Sequence, residues 1–214
     1  MKKTALLTCI AFCLFSLTSS AQITKGSVLL GGGISGGRNT TENNNQENKY
    51  SSLALYPSIG LAVKENTVTG LRLSYSHSKS GPDNSSYKQE QKSYGAGLFY
   101  RKYKSLGKQF YLFGEGAAYY IHSELTNKMP DFMSTQKMGS IGLNFYPGVA
   151  YAVSRKIHLE AGLNNLVDLS YNENKTVTSS LGGTTTSKGS GFGFSTNVST
   201  ASPLTIGFRF VLGK

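Results

Sequence analysis

Apolar and polar residues alternate along most of this chain, and the alternation is clearest near its C-terminal end. There, one apolar stripe occupies every second position: Leu204, Ile206, Phe208, Phe210 and Leu212. Successive side chains of a strand point to opposite faces, so this stripe predicts a strand with one apolar face. The other face carries Arg209. Such a strand is typical of a sheet whose apolar face meets lipid and whose polar face lines a lumen.

The same alternation recurs in seven earlier segments, which predicts eight strands in all. The seven span residues 26–37, 50–63, 67–78, 92–103, 109–123, 138–153 and 157–171, and the eighth ends at Leu212. Pro57 falls inside the second segment and predicts a bulge there, because proline cannot donate a ladder hydrogen bond.

The connections between these segments alternate between long and short. The long ones are rich in Asn, Ser, Thr and Gly and are interpreted as loops: 38–49, 79–91, 124–137 and 172–190. In an up-and-down barrel, alternate connections lie at opposite ends, and outer-membrane barrels have short periplasmic turns and longer extracellular loops. No open sheet edge is tolerated in hydrocarbon, so the sheet must close. We therefore predict an all-β fold, an eight-stranded antiparallel up-and-down transmembrane β-barrel.

Aromatic residues gather near both ends of the predicted strands, as expected of side chains at the level of lipid headgroups. At the short-turn end they are Tyr103, Phe110, Tyr151 and Phe210, and at the loop end Tyr50, Tyr75, Tyr120 and Tyr171.

The first residues have the three parts of a secretory signal peptide. A basic start is followed by an apolar run and by small residues ending at Ala21, which predicts a cleaved signal peptide at 1–21 and a barrel domain at 22–214. Cys9 and Cys13 both lie in the predicted peptide, so the mature chain has no disulfide and no thiolate site. The formal charge of +11 becomes +9 when Lys2 and Lys3 are removed (11 − 2).

Composition excludes some other classes of protein. The mean hydropathy is −0.24, and after Leu17 no apolar run approaches the length of a membrane-spanning helix, about 20 residues. A helical membrane protein is therefore not expected. The basic balance favours attraction to anionic surfaces such as lipopolysaccharide. Nucleic acid is not expected as a partner, because the chain has neither a basic helix nor an aromatic ladder.

Five charged residues lie on the parity opposite the apolar stripes: Arg72, Arg101, Glu115, Glu160 and Arg209. The interior of an eight-stranded barrel is only just wide enough for side chains to fill it. Buried charges must pair, so we predict a lumen charge network of these five residues. The network either satisfies polarity inside a plugged barrel or acts as a gate that opens by exchanging partners.

No catalytic, cofactor or metal site is predicted. The three histidines, His77, His122 and His158, fall at different places in the predicted barrel, whereas a zinc site needs converging ligands. His122 and Ser123 are adjacent and point to opposite faces, which is unsuitable for a nucleophile and its base. The glycines at 31–33 precede neither a helix nor a phosphate-loop lysine, which excludes a nucleotide site.

The signal peptide, the eightfold alternation and the terminal segment from Gly207 to Leu212 resemble those of small OmpA/OmpX-type outer-membrane barrels. This resemblance implies a monomer in a bacterial outer membrane, in contact with membrane lipid and lipopolysaccharide. It also implies a last strand read by the barrel-assembly machinery, through Gly207, Phe208, Phe210 and Leu212. That family usually ends on an aromatic residue, whereas Gly213 and Lys214 follow here. An extracellular partner would bind the four predicted loops.

Two alternatives remain open from the sequence. A soluble, secreted barrel of the lipocalin type would hold a small apolar ligand and place its apolar stripes inside. A lipid A-modifying outer-membrane enzyme would need a converging set of serine, histidine and acid. The polarity of the inward face distinguishes the first alternative from a membrane barrel.

Overall fold

The computed structural model describes residues 23–43, 46–82, 87–107, 109–163, 166–196 and 204–213. The regular elements in these ranges are twelve strands. They are β1 (Val28–Gly32), β2 (Ile34–Asn43), β3 (Gln46–Leu55), β4 (Ser58–Lys64), β5 (Thr67–Pro82), β6 (Lys88–Gly107), β7 (Phe110–Met129), β8 (Phe132–Ala152), β9 (Ile157–Leu163), β10 (Val167–Ser180), β11 (Gly183–Thr196) and β12 (Leu204–Leu212). The predicted signal peptide, 1–21, lies outside the described residues.

Eight of these strands form a closed ring. Their order is β8-β7-β6-β5-β4-β1-β12-β9, and β9 pairs with β8 to complete the circle. The first and last strands meet over five pairs, from Val28 opposite Leu212 to Gly32 opposite Phe208. All of these pairings are antiparallel. The predicted all-β, antiparallel arrangement of eight strands is confirmed in this ring.

The other four strands prolong members of the ring. β2 follows β1 and β3 leads into β4, while β10 follows β9 and β11 leads into β12. The break between β3 and β4 contains Pro57, where the sequence predicted an irregularity. Gly32 lies opposite that break with φ of +152°, and a Cβ added to it would come within 2.7 Å of the carbonyl oxygen of Tyr56. Only glycine fits there.

The four predicted loops are wrong in extent. The described residues of 38–49, 79–91, 124–137 and 172–190 are mostly strand. For example, β7 reaches Met129 and β8 resumes at Phe132, while β10 reaches Ser180 and β11 begins at Gly183. These segments lack apolar alternation because both of their faces are polar. Their pairing is made by the backbone, and threonine, which is frequent in them, favours strands.

Polarity in the ring is the reverse of that in a soluble barrel. The apolar stripes face outward, where Leu98, Leu143 and Ile206 are 66%, 59% and 69% exposed. The charged residues Arg101 and Glu115 are buried inside. In the described part of the chain, no helix is long and apolar enough to cross a membrane.

One end of the ring is filled by apolar side chains. Buried there in one cluster are Ile23, Leu29, Ala62, Val68, Phe99, Tyr103, Tyr111, Phe113, Ala150, Ala152 and Val211. The segment before β1 folds onto this end, since the carbonyl of Ile23 accepts a hydrogen bond from the amide of Asn66 at 2.9 Å. The amide of Gly26 likewise donates to the carbonyl of Ala62 at 2.8 Å. We call this cluster the apolar floor.

Candidate functional site

All five of the predicted interior charges meet above the apolar floor. Arg72 comes from β5, Arg101 from β6, Glu115 from β7, Glu160 from β9 and Arg209 from β12. Alternation along each strand turns these side chains inward. Arg101 and Glu115 are direct cross-strand partners on β6 and β7, and Glu160 and Arg209 are diagonal neighbours on β9 and β12. We call these five residues the interior network.

Glu115 joins two arginines. Its Oε1 accepts a hydrogen bond from Arg72 Nη2 at 2.5 Å, and its Oε2 accepts one from Arg101 Nε at 2.7 Å. The side chain of Glu115 has no solvent exposure, and that of Arg101 is 1% exposed. Each carboxylate oxygen of Glu115 therefore holds one guanidinium.

Glu160 joins Arg101 to Arg209. Its Oε2 accepts from Arg101 Nη1 at 2.6 Å, while Arg209 donates from Nε to Oε1 at 2.9 Å and from Nη2 to Oε2 at 3.3 Å. The Arg209 contact is bidentate, which is the strong, oriented form of an arginine–carboxylate pair. Arg101 thus bridges the two carboxylates, and the five charges form one connected chain.

Two tyrosine hydroxyls make hydrogen bonds with the interior network. The hydroxyl of Tyr146 accepts from Arg72 Nη2 at 2.9 Å and from Arg101 Nη2 at 2.6 Å. The hydroxyl of Tyr103 donates to Glu160 Oε1 at 3.0 Å and accepts from Arg101 Nη1 at 3.1 Å. The placement of Tyr103 at a headgroup girdle is therefore wrong, because it is buried inside the ring. Its position two residues after Arg101 puts it on the same face, and that parity was the signal for it.

Aromatic rings cover the arginines where carboxylates do not. The guanidinium of Arg101 lies 4.1 Å from the centroid of Phe113. Those of Arg72 and Arg209 lie 5.6 and 5.9 Å from the centroid of Phe99. Cations are attracted to ring faces at such distances, most strongly when they are desolvated. The aromatic rings therefore both pack against the guanidiniums and attract them electrostatically.

Every charged group of the interior network has a partner of opposite charge. Ion pairs repay their desolvation only with good geometry and additional hydrogen bonds, and both are present here. The carboxylate oxygens are all occupied by donors, so neither glutamate is arranged as an acid or base towards a substrate.

The three histidines lie in three different environments. His77 Nε2 on β5 is 2.8 Å from Glu90 Oε1 on β6, and Glu90 also contacts Lys92 at 3.2 Å. The hydrogen bond with His77 and the contact with Lys92 hold the pKa of Glu90 below its ordinary value. His122 lies beside the ring of Tyr94, with 5.1 Å between centroids.

His158 is buried inside the ring, where it stacks on Tyr111 at 5.8 Å between centroids. Ser123, the neighbour of His122, lies on the other face and its Oγ is 2.7 Å from Ser93 Oγ. Over the ranges described above, no group of three or more His, Cys, Asp or Glu residues is placed to hold a metal ion.

The terminal segment singled out in the sequence forms most of β12. Phe208, Phe210 and Leu212 face outward and are exposed, whereas Gly207 lies on the inward face with Arg209. This strand pairs with β1 on one side and with β9 on the other. Phe208, Phe210 and Leu212 thus contribute to the apolar exterior.

Fold and site together define the class of this protein: an all-β chain whose antiparallel sheet closes into a ring of eight strands around buried charges. No protein-family model matches the chain, and no curated protein matches its sequence. Solved structures provide distant likenesses in shape. The chain is similar to a major outer membrane protein from Thermus thermophilus, at 14% identity and a TM-score of 0.42, over 87% of this chain and 98% of that one.

Two further solved structures are similar at the same level. One is the translocator domain of the autotransporter NalP from Neisseria meningitidis, at 13% identity and a TM-score of 0.35, covering 98% of this chain and 93% of that one. The other is the ferric yersiniabactin uptake receptor FyuA from Yersinia pestis, at 12% identity and a TM-score of 0.37 over 70% of this chain. This chain covers only 25% of that receptor.

Proposed function

We propose that this protein is an integral outer-membrane β-barrel with a plugged interior, and that its role is structural or lies in surface interactions made by the hairpins above the membrane. In this proposal, residues 1–21 direct export and are removed. β12 carries the residues read by the barrel-assembly machinery: Gly207, Phe208, Phe210 and Leu212. Lipid and lipopolysaccharide surround a monomer.

The observation that carries the proposal is the apolar exterior of the ring. On β7, outward residues from Phe110 to Tyr120 are apolar or small, and His122 follows. These ten steps span about 34 Å along a strand and about 26 Å across a membrane at a tilt of ~40°, close to the ~25 Å apolar band of outer-membrane barrels. On the neighbouring β8 the corresponding band runs from Ile141 to Tyr151. A water-soluble protein rarely exposes so large an apolar surface.

Aromatic residues at the borders of the band support the same reading. Phe110 and Tyr151 lie side by side at one border, with 4.8 Å between ring centroids. Tyr75, Tyr120 and Tyr171 are exposed towards the other border. Aromatic side chains are enriched at headgroup level because one end is apolar and the other is wet.

The filled interior favours a structural role over conduction. A pore for solutes needs a continuous aqueous path, whereas here a layer of paired charges lies on the apolar floor. If the interior network acted as a gate, opening an aqueous path would require the separation of ion pairs. Either Glu115 would have to leave Arg72 and Arg101, or Glu160 would have to leave Arg101 and Arg209. Breaking a buried ion pair costs about 3–5 kcal/mol, which makes a spontaneous opening rare.

The hairpins above the ring are the surface available to partners. β7 continues from Ile121 to Met129, about 27 Å along the strand. Above the apolar band, β10 and β11 extend a second hairpin over nine cross-strand pairs, from Asn172 opposite Gly191 to Ser180 opposite Gly183. Polar, exposed segments held on a rigid ring are where specificity is usually found.

The lipocalin alternative requires an apolar interior and a charged exterior, and the ring has the opposite polarity. The enzyme alternative requires serine, histidine and acid to converge, whereas His122 and Ser123 lie on opposite faces of β7. No observation favours either alternative.

Cell fractionation combined with heat-modifiable gel migration tests the proposal. We expect the mature chain in the outer-membrane fraction, with a band that shifts on boiling because the folded barrel resists detergent. Recovery as a soluble periplasmic or secreted protein, with no shift, would contradict it. Conductance in planar bilayers tests the plugged interior separately, and steady open channels would contradict that part alone.

A further inference from the structure

The charged residues of this chain fall into three groups that differ in their balance of charge. Inside the ring, Asp168 accepts a hydrogen bond from Tyr119 at 2.9 Å, so three carboxylates accompany three guanidiniums and the interior is neutral (3 − 3 = 0). The hairpins above the ring carry nine cations and six carboxylates (9 − 6 = +3) in the described residues of 38–49, 79–92, 124–137 and 173–188. The third group, at the short-turn end of the ring, is the least balanced.

The short-turn end carries six cations and a single carboxylate in the described residues of 23–27, 62–67, 102–107 and 152–157 (6 − 1 = +5). The carboxylate is that of Glu65. All six cations are exposed: Lys25, Lys64, Lys102, Lys104, Arg155 and Lys156. We call these six residues the basic rim. So large an excess of one sign on one end of a protein attracts anionic partners.

Most of the basic rim is also unpaired, which distinguishes it from the hairpins. In the hairpins, lysines lie near carboxylates, as Lys92 does at 3.2 Å from Glu90 and Lys137 at 3.4 Å from Glu124. Four lysines of the rim form no ion pair within the part of the chain that the structure describes: Lys25, Lys64, Lys102 and Lys104. Their charge is therefore available to an external partner.

The basic rim extends around the ring. The segment before β1, the turn between β4 and β5, and the end of β6 are joined by backbone hydrogen bonds, from the Asn66 amide to the Ile23 carbonyl at 2.9 Å and from the Tyr103 amide to the Asn66 carbonyl at 2.8 Å. These three segments carry the four lysines. Arg155 and Lys156 lie elsewhere on the circumference, in the turn between β8 and β9. This distribution matches an extended anionic surface around the barrel better than one compact ligand.

Two of the lysines point sideways, towards the surroundings of the barrel. Lys102 and Lys104 follow Tyr100 at alternate positions of β6, so they continue its outward face beyond the apolar band. Lys104 is opposite Leu112, an exposed residue on the outward face of β7. Lysine stems lie along apolar surface while their ammonium groups reach the polar layer. These ammonium groups are therefore placed to meet lipid phosphates, whereas a polymer below the barrel would meet the turns.

We propose that the basic rim binds phospholipids of net negative charge in the periplasmic leaflet and selects them over zwitterionic phospholipids. The proposed function, on which this inference rests, places the short-turn end at that leaflet. The inference adds the class of lipid and the residues that select it. One lysine or arginine near an anionic membrane surface typically strengthens binding about fivefold.

The test uses tryptophan reporters at the two ends of the apolar band, because the chain has no tryptophan of its own. Tyr100→Trp reports on the outward face beside Lys102, and Tyr120→Trp reports near the hairpins. In mixed vesicles of phosphatidylglycerol and phosphatidylcholine, either lipid is brominated on its acyl chains, and the ratio of quenching gives the relative affinity. We expect position 100 to prefer the anionic lipid about fivefold or more, and position 120 less than about twofold. The preference should fall as salt screens the charges.

Matched variants connect the preference to the basic rim. In the Tyr100→Trp background, Lys102→Gln together with Lys104→Gln should remove most of it. Lys175→Gln together with Lys188→Gln removes the same number of charges from the β10–β11 hairpin and should leave it unchanged. Equal preferences at positions 100 and 120, or an unchanged preference after the two substitutions on β6, would overturn the proposal.

Peptidoglycan is the other anionic partner on the periplasmic side. Cosedimentation of the detergent-solubilised barrel with peptidoglycan, lost in the variant with Lys102→Gln and Lys104→Gln and accompanied by no lipid preference at position 100, would overturn the lipid assignment. Failure of the proposed function has a different signature, since brominated lipids of either class would then quench neither reporter. Strong quenching of both reporters without a lipid preference would refute the inference alone.

Discussion

The same strands build two regions with opposite characters. β7 begins in the ring, where Glu115 is fully buried between two arginines, and ends in a hairpin near Met129, where side chains are exposed. In the ring, the guanidiniums of the interior network pack against aromatic side chains of the apolar floor. Higher up, ion pairs such as that between Lys137 and Glu124, at 3.4 Å, are surrounded by water.

This contrast separates what makes a strand from what stabilises it. The hairpins pair as regularly as the ring, with β10 and β11 in register over nine positions beyond Tyr171, yet this part of the two strands has no apolar stripe. Backbone pairing therefore suffices for their shape once the ring holds their bases together. Burial of paired charges and aromatic rings stabilises the ring itself, so substitutions should differ in effect between the two regions.

The largest effect is expected from Glu115→Ala. It leaves Arg72 and Arg101 without their shared carboxylate, and removal of one partner from a buried pair costs about 3–5 kcal/mol. Urea-induced unfolding in lipid vesicles, followed by gel migration without boiling, measures this loss. The matched control is Glu173→Ala in the hairpin, which should change stability by less than about 0.5 kcal/mol. Equal effects of the two substitutions would contradict the contrast.

The second-largest effect is expected from overpacking within the ring. In Gly70→Ala the added Cβ would collide with the carbonyl oxygen of Ile59 and lie 2.7 Å from Phe99 Cζ, so we expect a loss of about 1–3 kcal/mol. Gly191→Ala, on β11, has no atom within 4 Å of the new methyl group. It should be neutral or slightly stabilising, and the same unfolding assay compares the two. A larger loss at the hairpin position would refute the assignment of the tightly packed region.

Shortening a hairpin should have little effect on the ring. Replacing residues 177–186 by Asn-Gly joins Thr176 to Ser187, which are opposite each other, through a turn that suits two-residue hairpins. We expect stability within about 0.5 kcal/mol of wild type and an unchanged heat-dependent shift in migration. Loss of the folded band would show that the hairpin supports the ring.

The smallest effect is expected for the pKa of one carboxyl group, that of Glu90, where β5 and β6 extend beyond the ring. His77→Ala should raise the pKa of Glu90 towards the ordinary value of 4.5, because the hydrogen bond with His77 is the main cause of its depression. Since the folded-state pKa is lowered, any stabilisation by Glu90 is present above pH 4.5 and is lost as pH falls through the depressed value. NMR titration of the Glu90 carboxyl carbon measures the shift. An unchanged pKa would remove His77 as its cause.

Much of the ring could be predicted from the sequence because its alternation records which side of each strand faces outward. That parity also put Arg72, Arg101, Glu115, Glu160 and Arg209 on one face, and the structure brings all five together. The strand extensions could not be predicted in the same way. Segments exposed on both faces, such as residues 172–180, have no periodicity to reveal backbone pairing.

The partners of the charges were harder to predict than the charges themselves. Tyr146 and Tyr103 belong to the network, but tyrosine is equally common at headgroup level, and position near a strand end favoured that reading for Tyr103. Parity was the better guide, since Tyr103 follows Arg101 by two residues. Which of the charges meet depends on which strands become neighbours around the closed ring, and alternation within one strand does not contain that information.

The most direct test of the central claim is the environment of neighbouring residues on β7. The chain has no tryptophan, so a single tryptophan substitution reports one position without background. In vesicles containing lipids brominated on their acyl chains, we expect strong quenching of Tyr120→Trp, which faces outward, and little quenching of Tyr119→Trp, which faces the interior. Leu181→Trp, in the turn between β10 and β11, should respond only to a quencher dissolved in water. Equal quenching of positions 119 and 120 by the brominated lipids, or quenching of neither, would contradict a ring that spans the membrane with its charges inside.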